Sequence, residues 1–494
     1  MNEKVVELRN FISSNGGDAI LINSSDEFLS EYNILPRNSR FKVTGFSGSM
    51  GDCIVTKNAV YQIADGRYHQ QADNEVDSDV VTVIKMQQGS SPINEIVGAL
   101  DENSTLMVTS NKVSADFCEK LSKKCEEKNI KIKYLSSDPI EDLSQNAFTN
   151  VELTRVSDKI ASLSPEEKFK YFAEKLTDKQ ILLVTVPTDF AYLTNLRNYD
   201  FPYSSAPRAK AVVTKNSVTL FTDSKIPYEF EGLSVEPLEK FKNVLAQFVG
   251  KEILTDKSTI SQADFMQIHP SNKVRSTNLF DVKSEKFDSE IEYLKSAFAR
   301  TDRVLRKMND LINSDAELSE YDLFCSINQF FKEEGALTQS FKPIIASGAN
   351  SSIIHYSVAS PDKIIKDGDL VMIDCGGFFE GGLATDITRT FVKVLRLMSK
   401  STSTQGFSRV QLRHLHINLT IRQLGNRLIC LSEGNLRTKR KTDICILIRR
   451  VTELEFLFTN FRRDARFKTN LHSLLRKITS FLLNLGFIKK ALAA

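Results

Sequence analysis

The sequence contains no tryptophan and only six histidines in 494 residues. Large aromatic packing therefore falls to Tyr and Phe. No stretch reaches the roughly 18 apolar residues that a membrane-spanning helix needs, so neither a membrane span nor a membrane partner is expected. Met1-Asn2-Glu3-Lys4 is not followed by a long apolar run, and no secretory leader is expected either. The seven cysteines (Cys53, Cys118, Cys125, Cys325, Cys375, Cys430 and Cys445) are scattered and odd in number, without the paired spacing of a zinc knuckle. That excludes a disulfide framework and fits a reducing, cytoplasmic setting. Proline is missing from residues 393–494, although the preceding 392 residues hold all 12.

What is present points to several packed units. A chain of this length exceeds one ordinary core and suggests two to four domains. A hydrophobic fraction of 41% argues against disorder. The net charge of +3 conceals a division. Residues 393–494 carry 21 Lys and Arg against five Asp and Glu, whereas residues 1–392 carry 44 against 57. A basic segment of this kind can meet nucleic acid or an anionic surface.

Helical and strand-like runs alternate over the first 150 or so residues. Val5–Ser14 reads as a helix; Asp18–Ile22, Leu106–Val108 and Ile130–Leu135 read as strands. This is the pattern of an α/β domain. A second such unit begins near Ser157 and runs to about residue 280. Ser164-Pro165-Glu166-Glu167 is its helix start, and Ile181–Val186, Lys210–Thr214 and Ser217–Thr222 are its strands. Each unit carries the tetrapeptide Val-Thr-Lys-Asn, at 55–58 and 213–216, between two strand-like runs. An aspartate follows each lysine by eight positions, at Asp65 and Asp223. The two units read as distant copies of one design. Glu285–Ile312 is the strongest helix, with Ile291, Leu294, Phe298, Val304 and Leu305 near helical spacing. Ser319 reads as the cap of the next helix, with Asp322 an approximate substitute for the usual glutamate of a capping box.

The most informative segment is Asp374-Cys-Gly-Gly-Phe-Phe-Glu-Gly-Gly-Leu-Ala-Thr-Asp-Ile-Thr-Arg-Thr-Phe391, led in by the apolar strand Leu370–Ile373. It reads as strand, glycine-rich reversal and returning strand. A turn centred at Glu380 places Asp374 directly across from Asp386, on one face, with Cβ atoms about 5 Å apart. Two carboxylates that close repel unless a cation holds them. Their oxygens suit Mn²⁺, Mg²⁺, Zn²⁺ or Fe²⁺. The alternative is two acids that cap turns or face solvent. Cys375 alternates to the other face and reads as a packed thiol. His355, approached through Gly348-Ala-Asn350 and Ile353-Ile354, can donate to a substrate carbonyl or bind metal, or simply be structural.

These residues carry a resemblance. Ala349-Asn350 to His355-Tyr356, Asp374-Cys-Gly-Gly and Thr385-Asp-Ile-Thr-Arg-Thr390 resemble aminopeptidase P (Xaa-Pro aminopeptidase), of the pita-bread metallopeptidases. Ser30-Glu31-Tyr32, Thr44–Ser49 and Asp65-Gly-Arg-Tyr68 resemble its creatinase-like N-terminal domain. Tyr192–Arg197 and Asp200–Tyr203 resemble the middle domain of the long, three-domain members. The implied fold is α/β and α+β: two creatinase-like N-terminal α/β domains (1–150 and 151–282), then an incomplete pita-bread catalytic domain (283–392). The implied activity is release of the N-terminal residue from peptides with proline in second position. Asp374 and Asp386 would be two of five ligands to two divalent metal ions, usually Mn²⁺, and His355 would assist at the substrate. A homodimer is implied as well. A creatinase-type amidinohydrolase and a prolidase are the related alternatives, and the long N-terminal half favours aminopeptidase P over both.

The pattern is expected to end at about Val392, with most metal ligands missing. His414, His416, His472, Glu433, Glu453 and Glu455 lack the glycine-flanked settings that the family requires. Three readings compete for 393–494: a divergent basic domain that binds nucleic acid or membrane, a pseudoenzyme that keeps the fold as a scaffold, and a tail translated out of frame. The third is favoured. The tail has 13 arginines in 102 residues against 12 in the preceding 392, and only four glycines. Composition of that origin says nothing about a nucleic-acid partner. The chain as written is expected to be inactive.

Overall fold

The computed structural model describes residues 3–277 and 279–394. All of them lie in one compact unit, Met1–Arg396. The first sheet has six strands: β1 Ala19–Asn23, β2 Asp52–Thr56, β3 Val60–Ala64, β4 Thr82–Lys85, β5 Thr105–Thr109 and β6 Lys131–Leu135. Their order is β4-β3-β2-β1-β5-β6. The central β1 (Ala-Ile-Leu-Ile-Asn) is buried on both faces, as a run without polar alternation requires. One core on each side covers it, with Ile20 and Ile22 in one and Ala19 and Leu21 in the other.

The second sheet repeats the first. Its strands are β7 Gln180–Val184, β8 Lys210–Val213, β9 Val218–Phe221, β10 Leu233–Glu236, β11 Glu252–Leu254 and β12 Lys273–Arg275, in the order β10-β9-β8-β7-β11-β12. In both sheets the first three strands in chain order pair antiparallel, and every other pairing is parallel. The repeated tetrapeptide forms the same hairpin turn twice. Thr56 N bonds Ala59 O at 2.9 Å and Thr214 N bonds Ser217 O at 2.8 Å. Each threonine hydroxyl also accepts from the two following turn amides, at 2.9–3.3 Å. Lys57 then reaches Asp18 at 2.7 Å, and Lys215 reaches Asp178 at 3.4 Å, each aspartate lying just before the first strand of its sheet. Four shared residues at a turn thus mark a shared topology.

The third part packs two helices on a three-stranded antiparallel sheet. The helices are Asp288–Ile312 and Glu320–Glu333; the strands are β13 Ile344–Ser347, β14 Leu370–Cys375 and β15 Ile387–Val392, ordered β13-β14-β15. Ser319 and Asp322 do form a reciprocal capping box, at 3.1 and 2.8 Å, so the shorter acid suffices. The expected apolar stripe of the long helix needs correction. Ile291 and Phe298 are exposed, and the buried face in that half is Tyr293, Ala297 and Thr301. The reason is polar: Tyr293 and Thr301 supply hydroxyls to the glycine-rich turn between β14 and β15. Among the described residues β15 pairs only with β14, which leaves its outer edge without a strand neighbour.

Candidate functional site

Asp374 stands at the end of β14 and faces Thr388, whose hydroxyl donates to Asp374 Oδ1 at 2.7 Å. Asp386 lies just before β15, two positions from Thr388. The two acids are therefore diagonal neighbours on one face, rather than directly opposed. The expected centre at Glu380 is off by one residue. Phe378 bridges Ala384, so the reversal pivots on Gly381. The shift puts a threonine hydroxyl, instead of a second carboxylate, directly across from Asp374. Burial, and then the charge of Asp374, hold the Asp386 carboxyl above the usual range. Cys375 points the other way, into the core beneath.

The glycines of the turn answer to close packing. A Cβ on Gly376 would run into the backbone oxygen of Thr385 on the returning strand. Gly382 has φ +67°, and a Cβ there would strike Arg197. Neighbouring segments tie the turn down. Tyr199 Oη donates to Phe379 O at 3.0 Å and Ser205 Oγ to Gly382 O at 2.9 Å. Gly381 N donates to Tyr293 Oη at 2.9 Å, and Arg300 grips Glu380 through two contacts of 2.8 Å. Thr301 meets the hydroxyl of Thr385 at 2.9 Å. The second α/β unit thus helps fix the spacing of the two acids.

His355 sits on a loop organised by one buried carboxylate. Glu320, fully buried at the start of its helix, accepts from Ser347 N at 2.7 Å, Ser347 Oγ at 2.9 Å and Asn350 Nδ2 at 3.1 Å. It also accepts from Tyr356 Oη at 2.7 Å and Ser360 N at 3.2 Å. These contacts bracket His355 on both sides. The imidazole itself reaches the first α/β unit: His355 Nδ1 lies 2.7 Å from Tyr68 Oη, with the rings edge to face at 5.0 Å. Tyr68 meets Ser49 at 2.8 Å, and Ser49 donates to Glu31 at 3.1 Å. Burial, and then the Arg67 guanidinium, push the imidazole below its ordinary pKa. Tyr32 feels both Asp374 and Asp386, and its phenol is pushed up to about 12, chiefly by burial.

Three short motifs spread over the first 70 residues thus converge on this site, with Tyr68, Ser49 and Glu31 in line from His355 and Tyr32 beside the cavity. Pattern reading gave none of these a role, and it missed Glu320, whose only sequence signal was its place beside a capping serine. A cavity of about 580 Å³ opens beside the turn, bounded among others by Glu31, Tyr32, Tyr203 and Ala384. Among the described residues no group of three His, Cys, Asp or Glu is placed to hold a metal ion. Asp374 and Asp386, diagonal neighbours on one face, fit part of the shell of a hard cation; a complete two-metal centre does not fit the described residues. His414, His416, His472, Glu433, Glu453 and Glu455 lie outside the described residues.

Residues 292–406 match metallopeptidase family M24, a match that runs past Val392. Residues 4–140 and 144–296 match two families of creatinase/prolidase N-terminal domain. The chain is 26% identical over 424 residues to a probable Xaa-Pro aminopeptidase P of Laccaria bicolor, covering 79% of this chain and 64% of that one. It is 25% identical over 426 residues to Xaa-Pro aminopeptidase 1 of Dictyostelium discoideum, covering 79% and 67%. The chain thus spans about two thirds or less of the length of such relatives. Its fold matches a Caenorhabditis elegans X-prolyl aminopeptidase, described as a cytosolic enzyme with a di-nuclear active site. The TM-score is 0.71 at 20% identity, over 81% of this chain and 70% of that one. With two segments of creatinase/prolidase N-terminal type leading into an M24 metallopeptidase segment that carries its paired acids on one hairpin, the chain is similar in domain order and fold to the aminopeptidase P group of the pita-bread metallopeptidases.

Proposed function

We propose that the protein descends from a metal-dependent aminopeptidase that releases the N-terminal residue from peptides with proline second, and that the chain as written is inactive. The observation that carries the first half is the pair Asp374 and Asp386 on one face of a clamped hairpin, inside the M24 match. These two acids would hold part of a pair of divalent cations, with Mn²⁺ the preferred ion. Such cations, when bound, polarise a carbonyl and lower the pKa of a water. The chain's own residues do the rest. Thr388 orients Asp374, the turn contacts fix the spacing of the acids, and His355 meets the substrate. The cavity beside Tyr32 is of a size that takes a peptide segment. The same reading divides the chain at 150, 282 and 392, with residues 393–494 a basic tail out of frame, and places a homodimer in the cytoplasm.

A second reading, a scaffold without catalysis, is favoured by one observation. Two acids are all that gather at the hairpin among the described residues. The test is direct. The purified chain is incubated with a Gly-Pro or Arg-Pro peptide and excess Mn²⁺. Turnover comparable to that of an intact relative would overturn inactivity. The DNA around codons 385–400, translated in all three forward frames, tests the tail. A neighbouring frame that opens into glycine-flanked histidine and glutamate motifs supports the frame reading, and its absence favours divergence. A repaired chain that still fails to cleave would sink the peptidase assignment.

A further inference from the structure

The contacts around His355 form a line that ends in an acid: His355 Nδ1, Tyr68 Oη, Ser49 Oγ, Glu31 Oε1, at successive separations of 2.7, 2.8 and 3.1 Å. Each hydroxyl has one proton to give, and an ionised carboxylate has none. The direction of the line follows by counting. Ser49 commits its proton to Glu31. At the next contact Ser49 can only accept, so Tyr68 gives its proton to Ser49. Tyr68 then has nothing left for the ring, and its oxygen accepts from His355. Burial raises the Tyr68 phenol and so keeps its proton in place; burial and Arg67 favour the neutral imidazole.

We infer that Glu31, Ser49 and Tyr68 fix neutral His355 as the tautomer protonated on Nδ1, leaving the lone pair of Nε2 free. Which ring nitrogen carries the proton is set by the partner of the other. A neutral His355 of this form cannot donate from Nε2 to a substrate carbonyl. It accepts there, from an N–H or ammonium of the peptide. Tyr68 and Ser49 are positioning residues, brought from a domain some 290 residues away in sequence. The tautomer assignment stands on the hydrogen-bond line alone. Its consequence for substrate rests on the proposed place of His355 at the peptide.

The experiment is a two-bond proton–nitrogen correlation spectrum of the full chain with ¹⁵N-labelled histidine, at a pH where His355 is neutral, with His355→Ala identifying its signals. The expected wild-type spectrum shows Nδ1 protonated, by a bias of roughly tenfold, the worth of one ordinary hydrogen bond. Ser49→Ala cuts the line without touching the ring. Tyr68 is then free to donate to Nδ1, and His355 should convert to the form protonated on Nε2. A wild-type ring protonated on Nε2 overturns the inference. So does a Ser49→Ala ring that keeps its proton on Nδ1 while His69 and His269 hold their wild-type signals. Should Ser49→Ala disturb those signals, the wild-type spectrum alone decides. Loss of peptidase activity or of metal binding leaves these outcomes untouched, so a failure of the functional reading is recognised separately.

Discussion

Replacing Glu320 by alanine removes the acceptor that holds the His355 loop. Five donor groups lose this acceptor: Ser347 N, Ser347 Oγ, Asn350 Nδ2, which keeps Tyr356 Oη at 3.0 Å, Tyr356 Oη and Ser360 N. Only the two from Ser347 are buried outright, and water can reach the others. A stranded buried donor costs about 1–3 kcal/mol, with more when the lost acceptor was charged. Counting Ser347 N in full and its rotatable hydroxyl in part gives about 3 kcal/mol of local stability. A chain with several domains has no single unfolding free energy, so the readout must be local. Hydrogen exchange of residues 345–360, with β7 as internal control, reads it directly. A loss of about 3 kcal/mol corresponds to exchange on the order of a hundredfold faster in that segment, since each 1.4 kcal/mol is tenfold. Glu320→Gln keeps one acceptor oxygen and should fall between. Acceleration below about threefold in 345–360 would refute the role given to this carboxylate, and equal acceleration in β7 would show global rather than local loss.

Gly376→Ala should force the strands of the acid hairpin apart, because its Cβ meets the Thr385 carbonyl backbone; a cost of 1–3 kcal/mol or somewhat more is the usual range, about the size of overpacking in a core, and exchange across 374–388 should rise. Asp374→Asn removes the second of the two causes that raise Asp386, so carbon NMR should show the Asp386 carboxyl titrating lower, though burial keeps it above the free range. A raised acid favours the folded state when protonated, so its contribution is present below the unfolded pKa and is lost as pH rises through the folded one. Asp26 and Arg208 form a buried ion pair between the two α/β units, with the guanidinium between Phe28 and Phe201 at 4.7 and 4.2 Å. Asp26→Ala alone should cost about 3–5 kcal/mol by stranding the cation, read as faster proteolysis between the units, whereas Asp26→Leu with Arg208→Met should restore much of the resistance.

Much of the architecture could be read from local pattern. β1 and β7 are unbroken apolar runs, and hydrophobic burial alone sends such runs to a sheet centre. The repeated Val-Thr-Lys-Asn marked a shared hairpin because the threonine hydroxyl closes the turn through contacts two and three residues away, which sequence order contains. Asp374 and Asp386 share a face for a related reason: strands alternate with period two, and a reversal centred on a residue, as on Gly381, keeps positions an even number apart on one face. The register was missed by two positions in the pairing, since the pivot depends on Tyr293, Tyr199, Ser205 and Arg300, all distant in the chain. The long helix misled for a related reason. Ile291 and Phe298 look like core, yet the buried face goes to Tyr293 and Thr301, whose hydroxyls the glycine turn needs.

The sequence by itself determined the elements, the doubled α/β design and the pair of acids on one strand face, because each follows from periodicity or from contacts a few residues apart. The tertiary structure alone decided what surrounds His355. Tyr68, Ser49 and Glu31 reach it across nearly three hundred residues, and Glu320 grips its loop from another helix. Hydrogen bonds of that kind depend on how separate units dock, and no local rule of chain geometry encodes the docking.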